Sequence, residues 1–285
     1  MSFAVSILEQ GLIYGILALG IYITYKILDF PDLTVDGSFP LGAAVTALMI
    51  TKGANPYLTL PVAFAAGVAA GICTGLIHVK CKVRDLLSGI IMMTALWTIN
   101  LRVAGTANVP LFSQKTIFKN DTLDKLVPSG FSAYSTLLII LIIALIVKIL
   151  YLNTKSGYLL RAVGDNDKLV TAMAKDEGNV KILGLAIANG LCSLAGCIFC
   201  QEERVFEISS GTGAMVIGTS IFKKISFVKT TTAVLIGSII YKACVAIALK
   251  NFEPQDMKLI TAVLFLVILV LSMERKKKVK KNAGA

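Results

Sequence analysis

The residues of this chain best placed to do chemistry are gathered in Leu33-Thr34-Val35-Asp36-Gly37-Ser38-Phe39-Pro40-Leu41-Gly42, just after Asp29, Pro31 and Asp32. A carboxylate, a serine hydroxyl, two glycines and a proline fall here within a very apolar half of the sequence. Backbone that breaks helix periodicity at membrane depth survives only against protein or a water-filled path, because lipid cannot satisfy its peptide groups. An ionisable group in such a break points to a function, here polar contact with a passing solute. A loop joining two helices at the membrane surface would carry the same residues, so two readings stand.

Bond-making chemistry finds little support elsewhere. The one histidine, His78, sits beside Lys80 at the end of an apolar run, where an interfacial residue is expected, and no nucleophile elbow accompanies it. Gly211-Thr212-Gly213 lacks the lysine of a phosphate-binding loop, and no such loop occurs elsewhere, so any use of ATP must come from a partner. Cys192, Cys197 and Cys200 are spaced unevenly around a helix with no histidine pair near them. They read as small packing residues, and no metal site is expected. Glu9 is expected near a helix mouth, and Lys242 to snorkel toward an interface.

The elements that must position the break are transmembrane helices. The chain has 285 residues, 56% of them apolar and 16% charged, with a mean hydropathy of +0.78. A soluble domain would carry about a quarter charged residues. Apolar runs long enough to cross a bilayer recur throughout. The fold class is therefore an all-α polytopic membrane protein with about nine hydrophobic elements, two of them short. The expected spans are Phe3–Tyr25, a short Gly37–Ile50, Pro56–Val79, Leu86–Leu101, Phe131–Tyr151, Val180–Cys200, a short Gly211–Phe222, Lys229–Leu249 and Met257–Ser272. The first is expected to be retained, since no basic residue precedes Lys26 and no small-residue cleavage site follows. Residues 102–130 form the longest loop, with room for a short surface helix.

The net charge of +11 does not indicate nucleic acid, because no stacking platform or binding motif accompanies it. Six basic residues lie in Arg275-Lys276-Lys277-Lys278-Val279-Lys280-Lys281, the pattern of a cytoplasmic tail beside anionic lipid. With that tail inside, alternation gives the inner segments more than twice the basic residues of the outer ones. The C-terminus is then cytoplasmic and the N-terminus outside, unless a short element re-enters. The layout also repeats: long span, polar break, short glycine-rich element and further spans describe both 3–101 and 180–272. Helix 131–151 between them would invert the second half. Paired interrupted helices in two halves mark a transport pathway. The counterpart of the first break is Val205-Phe206-Glu207-Ile208-Ser209-Ser210-Gly211-Thr212-Gly213.

The polar segment 153–179 places Leu169, Val170, Met173 and Ala174 on one apolar face if helical. Asp165-Asn166-Asp167 offers caps, while Gly157 and Gly164 read as bends. A surface helix lying on lipid and a helix inserted into another subunit both fit.

Lys155-Ser156-Gly157-Tyr158-Leu159-Leu160-Arg161-Ala162-Val163-Gly164-Asp165-Asn166, followed by a span with Gly184, Gly190 and Gly196, resembles the permeases of the branched-chain amino-acid and ribose class of ABC importers. Asp32 to Ala44 and Gly213-Ala214-Met215-Val216-Ile217-Gly218-Thr219-Ser220-Ile221 resemble a subgroup linked to tryptophan or tyrosine uptake. Lys223-Lys224 departs from the Gly-Glu frequent in such relatives.

The resemblance implies a single permease domain over 1–285 that forms a pore with a second copy. It implies an ABC ATPase subunit on one side and an extracytoplasmic substrate-binding protein on the other, in a bacterial plasma membrane. No cofactor of its own is expected, since ATP belongs to the partner. The coupling segment would act through Gly157, Arg161, Gly164, Leu169, Val170 and Met173. The breaks would line the pore through Asp36, Ser38, Glu207, Ser209 and Thr212, with a cap or loop role as the alternative for each. An ion-coupled secondary transporter is the competing reading of the layout.

Overall fold

The computed structural model describes residues 3–118, 154–165, 176–208, 237–239, 243 and 246. The expected spans at 131–151, 211–222 and 257–272, most of 229–249 and the basic tail lie outside these residues, and with them the second half of the repeat.

The described part is helical and built around one long helix. In chain order come α1 (Phe3–Ile21), continued by a π-helical stretch Tyr22–Ile27, then α2 (Val35–Thr51), a 3-10 turn Pro56–Leu58, α3 (Thr59–Val79) and α4 (Asp85–Ala104). A short strand β1 (Asn108–Pro110) follows, and then α5 (Lys155–Asp165), α6 (Glu177–Glu203) and strand β2 (Val205–Glu207). Four segments are long and apolar enough to cross a bilayer: Ile7–Ile27, Pro56–Val79, Asp85–Ala104 and Glu177–Glu203.

Helix α6 begins at Asp176, whose side chain caps the Gly178 and Asn179 amides. It packs against α1, α2, α3 and α5. Helix α1 runs antiparallel to it, with Gln10 bonded to Glu203 and the Gly20 backbone seated against Ala188. Helix α3 is also antiparallel. Its buried stripe Thr59, Ala63, Gly67, Ala70, Gly71, Thr74 and Gly75 consists of small residues. A Cβ built on Gly67 or Gly71 would strike the backbone carbonyls of Asn189 and Leu185, so these glycines set the spacing of the pair. Lipid tails are as apolar as leucine, and close backbone approach of this kind is what holds helices together in a membrane. Tyr14, Phe39 and Phe199 fill the junction of α1, α2 and α6, with ring centroids 5.6–6.0 Å apart.

Helix α2 runs parallel to α6, from Ser38 beside Asn189 to Ala47 and Ile50 in one cluster with Cys200 and Phe206. Its start therefore lies at Asn189, well inside α6. At 1.5 Å per residue that is about 18 Å from Glu177. The short element begins midway along the long helix and extends toward the end where β1 and β2 lie.

Two features of the sequence reading are corrected. Residues 102–110 lead into a strand rather than a surface helix: β1 pairs antiparallel with β2, Val109 opposite Phe206. Val205–Glu207 is thus strand, its backbone paired, with Phe206 fully buried among Ala43, Ala44, Ala47 and Leu111. Gly157 and Gly164 are not bends; both sit inside α5, which Thr154 caps through its hydroxyl at the Gly157 amide.

Candidate helix break

The break arises where α1 loses its register. Its last turns widen into the π-helix, closed by the Leu28 amide donating to the Ile23 carbonyl at 3.0 Å. Asp29 then takes the left-handed conformation (φ 53°) usual for glycine or asparagine after a helix. The Phe30 amide returns to the Thr24 carbonyl at 2.9 Å, and its ring meets His78 edge-on at 5.0 Å. The His78 imidazole is itself engaged by the Val83 carbonyl at 2.9 Å.

From Pro31 the chain climbs to the start of α2, held on three sides. On the α6 side, Asn189 Nδ2 donates to Asp32 Oδ2 and Ser38 Oγ donates to Asn189 Oδ1, both at 2.7 Å. Asp32 Oδ1 accepts the Thr34 backbone N–H at 2.8 Å. On the α3 side, the Thr34 and Thr74 hydroxyls share a hydrogen bond of 2.9 Å. On the α4 side, Asn100 Nδ2 donates to the Gly37 carbonyl at 3.0 Å, and Gly89 abuts the Leu33 backbone. Thr34, Ser38, Thr74, Asn100 and Asn189 are all buried. Buried polar groups in such numbers persist because nearly all are paired; the Asn100 Oδ1 atom is the exception within this cluster. Pro40 lies inside α2, where it withholds the N–H that the Asp36 carbonyl would meet in an unbroken helix.

The expected site residues fall in different places. Asp36 is half-buried in the first turn of α2. Ser38, two residues on, is fully buried with its hydroxyl committed to Asn189. Glu207 is exposed on β2, at the other end of α2, so about 20 Å separates it from Asp36 by helix rise. Ser209 and Thr212 lie outside the described residues, as do Leu169, Val170 and Met173. In α5, Gly157 is buried, and Arg161 is exposed with its guanidinium 5.6 Å over the Tyr158 ring. Gly164 faces the π-helix, and Leu160 packs on Leu28 and Gly184 beside it.

The sequence reading missed Asn189. An amide in the centre of an apolar span is itself a signal, masked here by the abundance of small residues around it. The partnership of Thr34 with Thr74 had no signal, because it joins residues 40 positions apart through tertiary packing alone. Chemically the arrangement offers hydrogen-bonding and charged groups at half-helix depth; among the described residues no group of three or more His, Cys, Asp or Glu could hold a metal ion.

Comparison with known proteins adds the family. Residues 3–273 match the model of the branched-chain amino acid transport system / permease component family. The chain is 40% identical to the tyrosine transport system permease protein of Clostridioides difficile, over 94% of this chain and 91% of that protein. It is 31% identical to an uncharacterized protein of Rickettsia prowazekii over 94% of this chain and 97% of that protein. It is 30% identical to a probable branched-chain amino acid transport permease protein of Methanocaldococcus jannaschii, over 74% of this chain and 70% of that protein. No solved structure matches it.

Proposed function

The chain belongs to the branched-chain amino acid transport system / permease component family, and from that premise we propose that it carries an aromatic amino acid, tyrosine first among them, across a bacterial plasma membrane. It is the membrane-spanning subunit of an ABC importer. The observation that carries the substrate class is the 40% identity to a tyrosine transport permease across nearly the whole of both chains.

In this reading two copies form the pore, an ATPase subunit docks on the α5 side, and a substrate-binding protein docks at the end bearing β1 and β2. The C-terminus is cytoplasmic and the N-terminus outside. Asp36 lines the path at the break. Glu207, Ser209 and Thr212 line it in the second half, and Ser38 supports Asp36 from behind. A half-helix terminus in mid-membrane suits a zwitterion, since its dipole and nearby carboxylate meet opposite ends of the solute. The docking face comprises Gly157, Arg161, Gly164, Leu169, Val170 and Met173.

The test is co-purification with the ATPase encoded beside it, followed by uptake in proteoliposomes. Vanadate-sensitive, ATP-dependent tyrosine uptake is expected. Uptake that follows a proton or sodium gradient and survives vanadate would replace this reading with an ion-coupled transporter. Leu169→Asp or Met173→Asp should abolish coupling to ATP hydrolysis while the protein still folds; normal uptake in both would place the docking face elsewhere.

A further inference from the structure

Resting on the transport reading above, we propose that Asn189 is a positioning residue for the substrate pathway: it fixes the helix break from both sides and so sets where the Asp36 carboxylate sits. Asn189 is fully buried at the middle of α6. Its amide is used completely, with Nδ2 donating to Asp32 Oδ2 at 2.7 Å and to the Leu185 carbonyl at 3.0 Å, and Oδ1 accepting from Ser38 at 2.7 Å. Asp32 and Ser38 flank residues 33–37, the segment that carries Asp36. One side chain therefore anchors both ends of the segment to the central helix. Thr74 and Asn100 each hold it at one point only.

The geometry requires a group that donates and accepts in one plane, which an amide supplies and an apolar side chain of equal size does not. The backbone behind Asn189 cannot shift to compensate. The Gly67 backbone presses on Asn189 and Gly190 from α3, and the Phe64 ring fills the space over Gly190. A displacement of the amide is thus passed to the break rather than absorbed by α6.

The deciding experiment exchanges the two partners. In Asp32→Asn/Asn189→Asp the amide at 32 donates to the carboxylate at 189, which still accepts from Ser38, while the Thr34 N–H keeps its acceptor and the formal charge is unchanged. The complex with its ATPase is reconstituted in proteoliposomes with the binding protein, and tyrosine uptake is measured against concentration. Asn189→Leu and Asp32→Asn alone should each lower the maximal rate about tenfold or more, the loss of one hydrogen bond to a charged group. The half-saturating concentration, set by the binding protein, should hold. The exchange variant should recover to within about threefold of wild type. Losses that add in the exchange variant, or wild-type rates in the single variants, would overturn the proposal. Ser38→Ala, which unburies no charge, covers the case in which Asn189→Leu fails to assemble: it should slow uptake measurably, and an unchanged rate counts against the proposal. If the wild-type complex shows no ATP-driven uptake, the transport reading itself fails. If it transports and the exchange does not rescue, only the positioning role falls.

Discussion

Gly164 of α5 lies directly against the carbonyl oxygen of Ile27, so closely that no Cβ fits between them. Ile27 ends the π-helical stretch that leads into the break. The segment assigned to ATPase docking is therefore in backbone contact with the segment that starts the pathway. Gly164→Ala should push α5 off the π-helix at a cost of about 1–3 kcal/mol, typical of overpacking against an unyielding neighbour. The expected result in the reconstituted complex is a lower ratio of substrate-stimulated to basal ATP hydrolysis, and an unaltered ratio would show that this contact transmits nothing.

The glycine seam of α3 should govern stability more than transport. Gly71→Ala drives a methyl group into the Leu185 carbonyl and is expected to destabilise the protein by about 1–3 kcal/mol. Cys73→Ala, two residues away on the exposed side, should leave thermal unfolding of the detergent-solubilised protein unchanged. Equal melting of the two variants would count against the tight α3–α6 packing.

Asp36 offers a direct choice between lining a path and capping a helix. A carboxylate in the first turn contributes about 0.3–1 kcal/mol through the helix dipole, so a pure capping role predicts a small loss of stability and near-normal uptake for Asp36→Asn. A pathway role predicts the reverse: uptake falling by about tenfold or more, as for a lost charge-assisted contact, with thermal unfolding nearly unchanged. Uptake and melting measured on one preparation decide between them.

The proposed orientation can be read by labelling. Cys81 is exposed at the end where α3 terminates, and Phe112 is exposed at the opposite end, beyond β1. In intact cells a membrane-impermeant maleimide should label Phe112→Cys while Cys81 reacts only after permeabilisation. The opposite pattern would invert the topology.

The sequence displayed the helices of the first half because their apolar length and the small residues within them are local properties. Phe3–Tyr25, Pro56–Val79 and Leu86–Leu101 meet α1 with its π-helix, the turn-plus-α3 unit and α4 to within a few residues. The residues of the break were visible for the same reason, as Asp32, Asp36 and Pro40 interrupt an apolar run. Their partners were not. Asn189 and Thr74 reach the break only because α6 and α3 are packed against it, and no spacing within one segment encodes that. The resemblance to permeases of branched-chain amino-acid importers is borne out by the family match. The strands were missed because Asn108-Val109-Pro110 is three residues long and carries a proline, a combination with no strand signature of its own. Its partner supplies the pairing.

That ribbon has a mechanical consequence. It joins the segment following α4 to the end of α6, with the Leu111 amide on the Arg204 carbonyl and the Ile208 amide on the Ala107 carbonyl extending the ladder at each side. At that end the two parts of the chain are clasped like the riveted end of a pair of tongs. Any relative swing between them must grow with distance from the rivet and be largest at the opposite end, where α5 meets the π-helix.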